Sequence, residues 1–218
     1  MGNEVNVRGG DFDVNEGWVR HGQQKDPRHL YTASTSLFQK YRESDEYLVS
    51  TRIRQIFDAG TDWDYSKSLS DFYGGEIPAP VVSHELGQWC VYPDFREMDK
   101  YTGILKPKNF EIFKKSLEDH HMGDQAEAFT LASGKLSALL YRQEMEAAYR
   151  TPKTGGFQLL QLHDFPGQGT ATVGILNVFR ESKGLIDPAD WRKSCNDAVP
   201  LLRFDKRTWK TSESFEGQ

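Results

Sequence analysis

Two glutamates occupy positions in which a carboxylate could take part in catalysis. Glu85 follows the apolar run Val81–His84 and precedes Gly87, so we predict that it ends a buried strand. Burial at that position removes water from the carboxylate, and this cost in free energy is not compensated unless the group is paired with another group or used in a reaction. Glu4, which follows Asn3, is the second candidate. Two carboxyl groups, one protonated and one ionised, perform the chemistry of glycoside hydrolysis.

The sequence argues against two other kinds of hydrolase. His84-Glu85 could begin an H-E-x-x-H zinc motif, but Gln88 stands where the second histidine is required, and the local pattern is that of a strand. A serine hydrolase would carry G-x-S-x-G at a strand-to-helix turn, and the chain has no such motif. Cys90 and Cys195 are far apart and predict neither a disulfide nor a zinc site. Glycoside hydrolysis by two carboxyl groups would need no metal and no organic cofactor.

The segments around these glutamates are predicted to form strands and helices in an α/β arrangement with a parallel sheet. In such folds, functional residues gather at the carboxyl ends of the strands, which is where Glu85 is expected. Residues 34–60 are predicted to be a long loop with at most one helical turn or strand. The spacing of apolar residues predicts helices over 14–25, 64–73, 109–120, 124–148 and 188–195, strands over 29–33, 79–84 and 157–163, and β structure over 199–209.

Composition narrows the range of partners. The 218 residues include 27 Lys and Arg against 32 Asp and Glu, which gives a net charge of −5, and there is no basic block. We therefore expect no nucleic-acid partner. No run approaches the roughly 20 apolar residues that span a bilayer, and the first residues lack the apolar core of a secretory signal. These features predict no membrane partner and leave the compartment of the protein open.

Several segments together resemble a known family. Asn3-Glu4, the strand ending in Glu85 and the later run GFQLLQLHDFPGQG resemble the second half of the catalytic barrel of glycoside hydrolase family 2, which includes β-galactosidases, β-glucuronidases and β-mannosidases. DPRHLYTAS resembles the fifth strand region of that barrel, and VPLLRFDKRTW resembles the first strand of the β-domain that follows it. The resemblance implies a partial (β/α)8 TIM barrel, from the end of strand 4 through strand 8, in residues 1–197. Residues 198–218 would then begin a C-terminal β-sandwich-like domain or form a tail.

The resemblance also implies catalytic roles. Glu85 would attack the anomeric carbon as the nucleophile, and Glu4 would act as the acid and base of a retaining double displacement. Asn3 would bond the 2-hydroxyl of the sugar. The two carboxyl groups would stand about 5 to 5.5 Å apart, as retaining enzymes require.

Four further residues are predicted to bind the carbohydrate substrate, each with a structural alternative. His84 either orients a substrate hydroxyl or is a hydrogen-bonded core histidine, and Trp89 either stacks on a sugar or packs in the core. His163 and Asp164 end the predicted eighth strand, where ligand contact and loop capping are both open. Leu160 and His163 replace a tryptophan and an asparagine of the family pattern, so the sequence does not identify the sugar.

Because the resemblance begins at the fourth strand, we expect this chain to be a fragment of a larger enzyme. The missing N-terminal half of the barrel, or a second copy of the chain, would then cover the open edges of the sheet. A non-catalytic carbohydrate-binding or interaction module is the alternative, and a Glu4 side chain directed away from Glu85 would favour it. A structural α/β protein would have no concave site at the strand ends.

Overall fold

A computed structural model of the chain describes residues 12–33, 41–50, 64, 66–165, 167–168, 171–204, 206 and 208–217. The chain divides into two compact units. Unit 1 comprises Met1–Leu86, Glu144–Gln158 and Ala198–Gln218, and unit 2 comprises Gly87–Gln143 and Leu159–Asp197.

The described residues form five α-helices and three strands, with two short 3₁₀ helices at Phe95–Lys100 and Gly123–Gln125. No helix in this part of the chain is both long enough and apolar enough to cross a membrane. In chain order the elements are α1 (Phe12–Lys25), β1 (Leu48–Ser50), α2 (Ser66–Tyr73), β2 (Val81–Gly87), α3 (Lys108–Asp119), α4 (Ala126–Arg150), β3 (Thr154–Leu160) and α5 (Pro188–Arg192).

The three strands form one parallel sheet in the order β1-β2-β3. Leu48 of β1 pairs with Val81 of β2, and Ser50 pairs with Ser83. Because β2 is the middle strand, its backbone bonds on both sides, and β-branched apolar side chains such as Val81 suit its buried position. This accounts for the apolar run that the sequence places before Glu85.

The predicted partial TIM barrel is wrong, because the described residues contain one small three-stranded sheet and no part of a barrel. A barrel needs further strands that alternate with helices until the sheet closes. Residues 88–153, which separate β2 from β3, instead contain helices α3 and α4 and no strand. The α/β character and the parallel sheet are confirmed, and the barrel topology is not.

Two segments predicted as strands have another structure. Residues 29–33 form no strand, because the Tyr31 backbone N–H donates to the Glu46 carboxylate at 2.9 Å and Leu30 is exposed. The described residues of 199–209 also form no strand. The composition of these short runs, rich in Leu, Phe and Tyr, favours β structure. It does not specify a partner strand, and without one no strand forms.

The predicted helices are present in all five places, with shifted ends. The start of α5 has a clear local cause, because the Asp187 side chain accepts the backbone N–H of Ala189 at 2.7 Å and Pro188 occupies the first turn. The strands predicted at 79–84 and 157–163 correspond to β2 and β3. The predicted loop of 34–60 contains β1, and its residues 34–40 and 51–60 lie outside the described part.

Unit 2 has its own core around Tyr141 of α4, which is 1% exposed. The Tyr141 hydroxyl donates to the Val173 carbonyl at 2.6 Å. Gly87 lies against the same ring, and a Cβ at this position would stand 2.0 Å from Tyr141 Cε1. With a φ of +103°, position 87 therefore requires glycine on two grounds.

Candidate functional site

Glu85 lies near the carboxyl end of the middle strand of the unit 1 sheet and is 8% exposed. Its φ is +55°, in the left-handed region that a non-glycine residue rarely occupies. Non-glycine residues with this strained backbone cluster at active sites and ligand clamps. The position of Glu85 thus agrees with the predicted strand end, and its conformation adds a signal that sequence does not provide.

His84 stands beside the Glu85 carboxylate. Its Nε2 atom is 3.5 Å from Glu85 Oε1, and its Nδ1 atom is 3.3 Å from Gln158 Oε1 on β3. Because the amide oxygen accepts a hydrogen bond, Nδ1 carries the proton, and Nε2 is left facing a carboxylate oxygen. Nε2 is buried and makes no hydrogen bond among the described residues, so its 3.5 Å approach to Oε1 is a contact and not a hydrogen bond.

Of the other residues predicted to act in the site, two lie outside the described part of the chain and three lie in unit 2. Asn3 and Glu4 lie outside the described residues, so their predicted roles stay predictions. Trp89 is half-buried in unit 2, and its carbonyl accepts a hydrogen bond from the Ser137 hydroxyl at 3.0 Å. His163 Nδ1 lies 2.9 Å from the Asp164 carbonyl oxygen.

Asp164 is the centre of a buried ion pair in unit 2. Its Oδ1 atom accepts from Lys183 Nζ at 2.7 Å and from the Gly174 backbone N–H at 2.8 Å. The Asp164 and Lys183 side chains are 4% and 8% exposed. Burial raises the pKa of Asp164 above its ordinary value, and the neighbouring Lys183 ammonium offsets part of that effect. Asp164 therefore has a structural partner for its charge.

Glu97 is a second buried carboxyl group in unit 2, on the 3₁₀ helix Phe95–Lys100, and it is 5% exposed. Its Oε2 atom has no hydrogen-bond partner among the described residues. Burial, reinforced by the charge of Asp164, raises the pKa of Glu97 from 4.5 to about 7. Glu97 can therefore exchange a proton near neutral pH.

Glu97 and Asp164 line the same cleft, which encloses a cavity of about 30 Å³. Tyr92 and Phe110 contribute aromatic walls to this cleft, and Tyr92 also packs edge-on against three phenylalanines at centroid distances of 5.6 to 6.0 Å. We call this the Glu97 cleft. Its charged lining residues are Asp94, Arg96, Glu97, Glu127, Asp164 and Lys183.

Sequence reasoning missed Glu97 and Lys183. Both lie in polar, charge-rich segments that read as solvated surface, and neither follows a predicted strand. The only local signal is Asp94, whose side chain accepts the Arg96 backbone N–H at 3.0 Å and so begins the turn that carries Glu97. Residues more than 60 positions away, such as Asp164 and Lys183, line the same cleft as Glu97.

A comparison of the chain with protein-family models finds no match, and a comparison with curated protein sequences also finds none.

Proposed function

We propose that this protein takes part in the hydrolysis of glycosides, with the Glu85 carboxylate as the nucleophile. The observation that carries the proposal is the setting of Glu85. This residue is buried near the carboxyl end of the middle strand, its backbone is in the left-handed region, and its carboxylate contacts His84. The choice of glycosides as substrates rests on the resemblance of Asn3-Glu4, Glu85 and the region near His163 to glycoside hydrolase family 2.

The proposed reaction has two steps. In the first, a Glu85 oxygen forms a bond to the anomeric carbon while the glycosidic bond breaks, and the leaving oxygen takes a proton from a general acid. In the second, water attacks the same carbon, the ester bond to Glu85 breaks, and the base takes the proton of the water. Glu4 remains the predicted acid and base, on the family resemblance.

His84 is the positioning residue in this scheme. With Nδ1 held by Gln158, the ring is fixed relative to β3, and Nε2 lies 3.5 Å from one oxygen of Glu85.

The test is release of nitrophenol from a panel of nitrophenyl β-glycosides by the purified chain. Glu85→Gln keeps the size of the side chain and removes its charge, so the proposal predicts a loss of at least about 10³-fold in kcat. Glu76→Gln is the matched control, because the Glu76 side chain is 86% exposed in the loop before β2, and it should keep the wild-type rate. Unchanged turnover in Glu85→Gln, or no turnover of any glycoside, would contradict the proposal.

A further inference from the structure

The Glu97 cleft has more negative than positive charge. Among its lining residues are four carboxyl groups and two cations. Lys183 pairs with Asp164 at 2.7 Å, and Arg96 pairs with Asp94 at 2.7 Å. Glu127 lies 3.8 Å from the same Arg96 guanidinium. Glu97 is thus the carboxyl group of the cleft for which the described residues provide no cationic partner at salt-bridge distance.

Glu97 brings a buried acceptor to the lining of the cavity. Oε2 is buried without a hydrogen-bond partner among the residues that the structure describes, and Glu97 borders the cavity. A buried oxygen in this state costs about 1–3 kcal/mol relative to a satisfied one. A donor that enters the cavity removes that cost, and a positively charged donor also neutralises the carboxylate.

The size and walls of the cleft select the kind of donor. A cavity of about 30 Å³ accommodates one water-sized group, such as an ammonium head. The aromatic rings of Tyr92 and Phe110 favour a cation with apolar substituents over a bare ion. The described residues also contain no group of three or more His, Cys, Asp and Glu side chains that could hold a metal ion.

We propose that the Glu97 cleft is a binding site for a small organic ammonium ion, a primary amine on a short apolar stem. The ligand ammonium donates to Glu97 Oε2 as Lys183 donates to Asp164, and Asp94, Arg96 and Glu127 also line the cleft. A second cavity of about 70 Å³ is lined by the same Phe110, Asp164 and Thr172. The site does not depend on glycoside hydrolysis.

Binding of this ligand is coupled to a proton. Because the pKa of Glu97 is about 7, the carboxyl group is mostly protonated at pH 5.5 and mostly ionised at pH 8.5. The ammonium ion competes with that proton, so its affinity is expected to be about thirtyfold higher at pH 8.5 than at pH 5.5. The charged and titratable groups that act on Glu97 or share its cleft are Asp94, Arg96, Tyr101, Glu127, Asp164 and Lys183.

The experiment is isothermal titration calorimetry of the full chain with propylammonium chloride at pH 8.5 and 5.5, with potassium chloride at equal ionic strength as the reference. We expect saturable binding of propylammonium at pH 8.5 and none of 1-propanol, which has the same stem without the charge. Glu97→Gln should lose at least tenfold in affinity, and Glu118→Gln on the exposed face of α3 should lose nothing.

Three results would overturn the assignment. They are equal binding of propylammonium and 1-propanol, an unchanged affinity in Glu97→Gln, and the same heat from potassium chloride as from propylammonium. Far-ultraviolet circular dichroism of each variant confirms that it is folded before the titration. A second variant, Thr130→Val, alters a neutral residue of the cleft and should change the affinity less than Glu97→Gln does.

Discussion

Replacing Glu97 by glutamine tests whether the free energy of unfolding depends on a buried, protonated carboxyl group. The pKa of Glu97 is raised from 4.5 to about 7 in the folded protein, mainly by burial. A carboxyl pKa that is raised by folding means that the folded state holds the proton more tightly than the unfolded state. The stability due to this proton is fully present below pH 4.5 and is lost as the pH rises to about 7.

The size of the effect follows from the two pKa values. Each pKa unit corresponds to 1.36 kcal/mol, so the difference between 4.5 and about 7 corresponds to about 3 kcal/mol of unfolding free energy. Glutamine has the same shape and does not ionise. The free energy of unfolding of Glu97→Gln, relative to the wild-type protein, should therefore rise by about 3 kcal/mol between pH 4.5 and pH 8.5.

Urea denaturation followed by tryptophan fluorescence at four pH values measures this difference directly. Glu118→Gln removes an exposed carboxylate from α3 and should show a difference that does not vary with pH. A Glu97→Gln difference that is equally flat would refute the claim that the Glu97 carboxyl is held in its neutral form by burial.

Two further substitutions test the packing of unit 2. Lys183→Met leaves Asp164 as a buried charge without its cation and should lower the free energy of unfolding by about 3–5 kcal/mol. The double variant with Asp164→Asn should recover part of that loss. Equal losses in the single and double variants, measured by urea denaturation, would contradict a buried ion pair. Gly87→Ala places a methyl group 2.0 Å from Tyr141 Cε1 and should lower the free energy of unfolding by about 3 kcal/mol or more. Gly103→Ala is the control and should be nearly neutral, because no atom lies within 4 Å of its Cβ. Equal melting temperatures of the two variants in thermal denaturation would show that the Tyr141 ring moves aside.

The helices and the central strand could be predicted because their signals are local. Apolar residues at helical spacing identify α3 and α4, and a β-branched run identifies β2. The barrel could not be predicted correctly, because the number of strands in a sheet is set by pairing between distant segments. Residues 29–33 show this, since their composition favours a strand and the Glu46 carboxylate takes the backbone N–H of Tyr31 instead.

The same distinction applies to the candidate sites. Glu85 was predictable, because a carboxylate that follows an apolar run is unusual in the sequence itself. Glu97 was not, because its turn looks solvated and its burial arises from segments far along the chain, including that of Asp164. The left-handed backbone of Glu85 was also beyond sequence reasoning, since glutamate has no preference for that conformation.

The most direct test of the proposed function is covalent trapping of the nucleophile. The chain is incubated with 2-deoxy-2-fluoro glycosides that carry a dinitrophenyl leaving group, in the gluco, galacto and manno series, and is then digested and analysed by mass spectrometry. The proposal predicts a fluorosugar ester on Glu85, absent from Glu85→Gln and present in Glu76→Gln. A stable sugar adduct on a different carboxylate, or no adduct with any of the three series, would contradict it.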